Sequence, residues 1–148
     1  MVKLCSACLL GINCRYDLKS NANEKVIALA EKEVLIPVCP EQLGGQSTPR
    51  PNAEIVNGSG EDVLDGKAKV IEEDGKEVTE DFIKGAKEVL KIAKLYNVKE
   101  AIMVQKSPSC GCGLIYDGTF TRTKREGNGV TTALLKRNEI KVISQNEI

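Results

Sequence analysis

Six cysteines and no histidine decide which chemistry is open to this chain of 148 residues. The cysteines are Cys5, Cys8, Cys14, Cys39, Cys110 and Cys112. Without histidine there is no Ser-His-Asp triad, no Cys-His pair and no imidazole metal site. Any reaction must draw on thiolates, carboxylates, lysine, serine, tyrosine or a bound group. Aromatic residues make up only 3 % of the chain, too few for a platform that stacks single-stranded bases.

The cysteines differ in their surroundings. Cys5 lies in the apolar run Val2-Lys3-Leu4-Cys5 and reads as a small buried hydrophobe. Cys8, Cys39 and Cys110 each sit among glycine, proline, serine or asparagine, where a core residue is not expected. Cys5-Ser6-Ala7-Cys8 has the spacing of thiol–disulfide enzymes, but its first cysteine lies inside a strand rather than at a helix start. A phosphatase loop needs five residues between Cys and Arg, whereas six separate Cys8 from Arg15. No glycine-rich phosphate loop of the GxxxxGK type occurs.

Metal binding remains. Structural zinc would need four thiolates, forcing together Cys5, Cys8, Cys110 and Cys112, and Cys110-Gly111-Cys112 is tight for two tetrahedral ligands. Iron–sulfur clusters can be held by thiolates alone. Three thiolates on a four-iron cluster leave one iron open as a Lewis acid or sulfur acceptor. The cluster is the better fit and zinc the alternative. Glu41, two residues after Cys39, can reach the same pocket as a general base. Ser107, three before Cys110, can hydrogen-bond a substrate or simply shape a turn beside Pro108. Lys106, Arg50 and Arg15 are loop cations that can offset negative charge or remain solvated, and Tyr16 and Asp17 can order the first loop.

The elements that must position these groups follow from pattern. Val2–Cys5 reads as a first strand, followed by a loop from Cys8 to about Asn23. Asn23 can cap a helix carrying Val26, Ile27, Leu29 and Ala30. The continuous run Val34-Leu35-Ile36-Pro37-Val38 predicts a strand covered on both faces. Residues 41 to 51 read as a loop, and residues 54 to 78 as an excursion with a hairpin turning at Asp74-Gly75. Thr79 is expected to cap a helix whose apolar face holds Phe82, Ile83, Ala86, Val89, Leu90 and Ala93. A strand at 101–104, a helix from Gly129 to Lys136 and a strand at 141–144 complete the order. This alternation implies an α/β fold with a mostly parallel sheet. Ligands of such sheets sit beyond the carboxyl ends of the strands. Cys8, Cys39 and Cys110 all follow strands, so one sheet edge should gather three thiols from distant parts of the sequence.

Length and composition fit one domain over residues 1–148. Twenty-one basic residues balance twenty-one acidic ones, which removes any whole-surface attraction for nucleic acid or membrane. Arg122-Thr123-Lys124-Arg125 is the one basic cluster that could meet a nucleic-acid backbone. No apolar run reaches membrane-spanning length and the start lacks a signal-peptide layout. A cytoplasmic location, where thiols stay reduced, is expected.

Three segments then carry a resemblance. Cys8-Leu9-Leu10-Gly11-Ile12-Asn13-Cys14-Arg15-Tyr16-Asp17 is the first. The second is Cys39-Pro40-Glu41 with Gly44-Gly45 and Thr48-Pro49-Arg50-Pro51, and the third is Lys106-Ser107-Pro108-Ser109-Cys110-Gly111. In this order they resemble the signatures of the thiouracil desulfidase family, and Gly127–Val130 with Ala133-Leu134-Leu135 matches its ending. Leu18 departs from it, standing where glycine often follows the Arg-Tyr-Asp stretch, as does Gln46-Ser47 before Thr48. The resemblance implies a Rossmann-like, three-layer α/β domain. It implies a [4Fe-4S] cluster on Cys8, Cys39 and Cys110 with one open iron site, and Glu41 and Ser107 as catalytic residues. The implied substrate is a small thiolated nucleobase such as 2-thiouracil, converted from C=S to C=O with release of sulfide, as a hydrolase or lyase would do. A non-catalytic cluster or zinc protein, and a desulfidase of thiolated tRNA, stay open as alternatives.

Overall fold

The computed structural model describes residues 1–148. In chain order the strands and helices are β1 (Val2–Ser6), α1 (Glu24–Leu29), β2 (Val34–Val38), α2 (Pro40–Leu43), β3 (Ala53–Val56), α3 (Gly60–Leu64) and β4 (Lys69–Glu72). There follow α4 (Thr79–Leu95), β5 (Glu100–Met103), β6 (Cys112–Tyr116), β7 (Lys124–Asn128), α5 (Val130–Arg137) and β8 (Lys141–Ser144). Four strands form a parallel sheet in the order β2-β1-β5-β8. Two antiparallel pairs, β3-β4 and β6-β7, lie outside it. The α/β fold with a parallel sheet is as the sequence implies.

The apolar run in β2 is an edge strand rather than a doubly covered one, and Val34 and Pro37 face solvent. Hydrophobicity alone does not separate an edge from a centre. Pro37, which has no N–H to donate to a further strand, suits the edge. The hairpin also differs. Asp74-Gly75 does turn the chain, with Gly75 N–H donating to Glu72 O at 2.8 Å, but only the single bridge between Ile71 and Glu77 follows. The ladder partner of β4 is β3, reached across α3. Ile55, Val63, Val70 and Phe82 explain that choice, because together they bury one face of this pair under α4. Thr79 is the first residue of α4 rather than its cap, and its Oγ1 accepts from the Val70 N–H at 3.0 Å.

A larger core packs the sheet against α4 and the first loop through Leu4, Leu9, Val26, Val89, Ile102 and Leu135. A smaller one lies under the two antiparallel pairs. Two glycines let the site-bearing elements approach. A Cβ on Gly85 of α4 would collide with the Pro40 carbonyl of α2, and one on Gly44 with the Asp81 carbonyl. The start of α2 therefore lies backbone to backbone against α4.

Candidate functional site

The carboxyl ends of all four parallel strands open on one cavity of 440 Å³, within the size range of small-molecule sites. After β1 the chain makes a single 3-10 turn, Ala7–Leu10, which carries Cys8 into the wall. After β2, Cys39 stands at the N-cap of α2, with Pro40 fixing the first helical residue and Glu41 in the first turn. After β5 the chain runs through Lys106, Ser107 and Cys110, and after β8 through Gln145 and Asn146. Cys8, Cys39, Cys110, Glu41 and Ser107, singled out from sequence, all line this cavity. So do Arg15, Arg50 and Lys106. Cys5 and Cys112 do not. Cys5 is fully buried in β1, where burial pushes its thiol up to about 12. Cys112 is buried at the start of β6 with Sγ 3.4 Å from the Val142 carbonyl.

The Cys110 segment is held by α5. The first N–H groups of a helix lack partners within it. Here Val130 N–H donates to Pro108 O at 2.8 Å and Thr131 N–H to Ser109 O at 2.9 Å. Thr132 Oγ1 donates to Cys110 O at 2.8 Å. Ser107 shapes the same turn, its Oγ accepting from the N–H groups of Ser109 and Cys110 at 3.1 and 3.0 Å. Its hydroxyl proton remains available to the cavity. Turn former and cavity donor are thus compatible roles for one serine.

Arg50 ties the other walls together from a buried position, with 3 % of its side chain exposed. Its Nη2 donates to Glu41 Oε2 at 2.9 Å and to Cys14 O at 2.8 Å, and its Nη1 to Thr48 Oγ1 at 2.9 Å. Glu41 Oε2 is thereby fixed, and Oε1 is left for the cavity. Glu54, the other carboxylate on the wall, uses Oε1 to accept from Gly118 and Phe120 at the tip of the β6-β7 hairpin.

Cys14 lies between two of the thiols. It also lines the cavity, and Cys39 Sγ donates to the Cys14 carbonyl at 3.8 Å. The Cys14 side chain draws Cys8 and Cys39 down to about 7. Burial opposes this at both sites. The Asn21 amide helps at Cys8, and the Gln42 N–H in the first turn of α2 helps at Cys39. Cys14 itself is driven strongly upward, first by its bonds to Cys39 and Cys8 and then by burial. Cys110 is raised by complete burial and by the negative charges of Cys8, Cys39 and Glu41, against a favourable bond from Ser6. A cation bound among these thiols would relieve the repulsion that raises Cys110 beside Cys8 and Cys39. Thiolates are the usual ligands of iron–sulfur clusters, so the donor set on this wall fits such a group.

Several contributors, Glu54 among them, escaped the sequence reading. Asn21, Tyr116 and Gln145 carry no motif signal, and β7 and its turn, which bring Arg122 to the wall, carry no strand pattern. Of the basic run 122–125, Arg122 lines the cavity, whereas Lys124 and Arg125 are exposed on β7. No helix is long and apolar enough to cross a membrane.

Known proteins share this architecture and sequence. The family model for 2-thiouracil desulfurase matches residues 4–147. The uncharacterized protein YbbK of Bacillus subtilis (strain 168) is 49 % identical over 145 residues, which cover 98 % of this chain and 96 % of that protein. Among solved structures, the [4Fe-4S]-dependent thiouracil desulfidase TudS matches with a TM-score of 0.86 and 38 % identity, over 99 % of this chain and 91 % of that chain. With nearly its whole length matched, the chain belongs to the 2-thiouracil desulfurase family.

Proposed function

We propose that this protein is a desulfidase that holds a [4Fe-4S] cluster on Cys8, Cys39 and Cys110 and replaces the sulfur of a small thiolated nucleobase by oxygen. The observation that carries the reading is the meeting of these three thiols, from the ends of three adjacent parallel strands, in one cavity that also holds Glu41. Family membership and the likeness to TudS support it. When bound, the cluster supplies an iron with an open coordination position, a Lewis acid toward the sulfur of a thiocarbonyl.

The chain's own residues do the rest. The overall change is C=S plus water giving C=O plus hydrogen sulfide, with no net oxidation or reduction. Glu41 Oε1 takes the proton of the attacking water while Arg50 keeps Oε2 in place. The Ser107 hydroxyl donates to the polar edge of the base, its oxygen held by two backbone amides. Arg15 and Lys106 on the wall add positive charge around three ionised thiolates. Glu54 on the cavity wall holds the tip of the β6-β7 hairpin beside the site.

The test is anaerobic reconstitution followed by iron and sulfide analysis and an assay of sulfide release from 2-thiouracil. About four irons per chain and a broad visible charge-transfer band are expected, together with turnover of the thiolated base. Stoichiometric zinc and no iron uptake would replace this reading by a structural metal module.

A further inference from the structure

The side chain of Asn21 is fixed from both sides. Arg15 Nη1 donates to its Oδ1 at 2.6 Å. Arg15 is itself clamped by Asp17, through Nε at 3.1 Å and Nη2 at 3.0 Å, and its guanidinium lies 5.7 Å from the centre of the Tyr16 ring. A guanidinium has only donors, so the amide oxygen must face it. The amide nitrogen then points the other way, with Nδ2 3.6 Å from Cys8 Sγ. The two ends of an asparagine amide are often ambiguous; here the chemistry of Arg15 settles them. A separate bond, from the Asn21 backbone N–H to Cys8 O at 3.0 Å, holds the residue beside Cys8 whatever its side chain.

We propose that Asn21 is a positioning residue for the Cys8 sulfur, and that Asp17 and Arg15 act through it to present an N–H to that sulfur when it ligates the cluster. The inference rests on the proposed ligand role of Cys8. Cys8 is buried, so its ligating thiolate cannot take hydrogen bonds from bulk water. A donor aimed at it withdraws charge from the sulfur, favours the more electron-rich state of the cluster and holds the ligand's direction. Asp17, Arg15 and Asn21 thus form a relay that ends on one ligand. Tyr16 covers the guanidinium at its middle.

The experiment compares reconstituted wild-type protein with Asn21→Ala and Asn21→Asp. Aspartate keeps the shape and the pairing with Arg15 but offers no N–H to sulfur. Two readouts are taken, the rate of iron loss to a ferrous chelator and the midpoint potential of the cluster. Both variants should lose iron about tenfold faster, and their potentials should move to more negative values, with Asn21→Asp shifted at least as far as Asn21→Ala. Arg15→Gln, which frees the amide to rotate, should move both readouts in the same direction by less. A wild-type rate and potential in Asn21→Asp would overturn the inference and leave the cluster assignment standing. If wild-type protein takes up no iron, the cluster assignment fails and the inference fails with it. Should Asn21→Ala not fold, Asn21→Asp still gives both readouts.

Discussion

Two carboxylates line the cavity, and hydrogen bonding separates their roles. Glu54 gives Oε1 to two amides at the tip of the β6-β7 hairpin, so moving it would release that tip. Glu41 is fixed at Oε2 by Arg50 and free at Oε1. Replacing Glu41 by glutamine preserves an acceptor for Arg50 but removes the base. The Glu41→Gln protein should therefore bind the same amount of iron as wild type, with turnover lower by about 10²–10⁴-fold, the usual worth of a positioned general base. Iron analysis and sulfide release on one preparation check both halves. Turnover retained at the wild-type rate removes Glu41 from the mechanism.

Helix α2 carries Glu41 and is capped by Cys39, so its seat on α4 sets where both groups stand. Gly85 makes that seat possible, since any Cβ there meets the Pro40 carbonyl. In an isolated helix Gly→Ala gains up to about 1 kcal/mol. Forced contact in a packed interface costs about 1–3 kcal/mol, and a backbone carbonyl cannot rotate aside as a side chain could. The clash wins. Gly85→Ala should lower stability in denaturant titration by about 1–2 kcal/mol and should also lower iron content, because Cys39 moves with α2. A more stable, fully loaded variant would show that the α2–α4 approach does not govern the site.

At this same scale the sequence was legible where periodicity and position coincide. The succession of parallel strands along the chain, the long α4 and the placement of Cys8, Cys39 and Cys110 after β1, β2 and β5 could be read, whereas the order β2-β1-β5-β8 within the sheet could not. The β6-β7 hairpin could not, because Lys124-Arg125-Glu126-Gly127-Asn128 has no strand propensity and is held by pairing with β6. Leu18 departs from a glycine pattern in sequence, and its backbone takes the left-handed φ of 65° that glycine would adopt freely. Cys14 lay inside a recognisable motif, yet its place between two other thiols is a tertiary fact. Asn21 had no signal at all, since its function depends on which way Arg15 turns its amide.

For the molecule as a whole, the three proposed ligands join segments that the polypeptide joins only through long connections. Cys8 belongs to the first loop, Cys39 to the β2–α2 junction, and Cys110 to the segment docked on α5. A group bound by all three in the folded state alone must stabilise that state by mass action. At a hundredfold excess over the dissociation constant the gain is about 2.7 kcal/mol, roughly 5–10 °C in Tm for a chain of this size. Reconstituted protein should thus melt several degrees above metal-free protein under anaerobic conditions. The increment should disappear in Cys110→Ser. It should persist in Cys112→Ser, because Cys112 is buried away from the cavity; that substitution should lower both melting points together. The difference between loaded and metal-free protein, rather than either Tm, separates a cysteine that binds from one that packs. An increment that survives in Cys110→Ser would take that residue out of the ligand set.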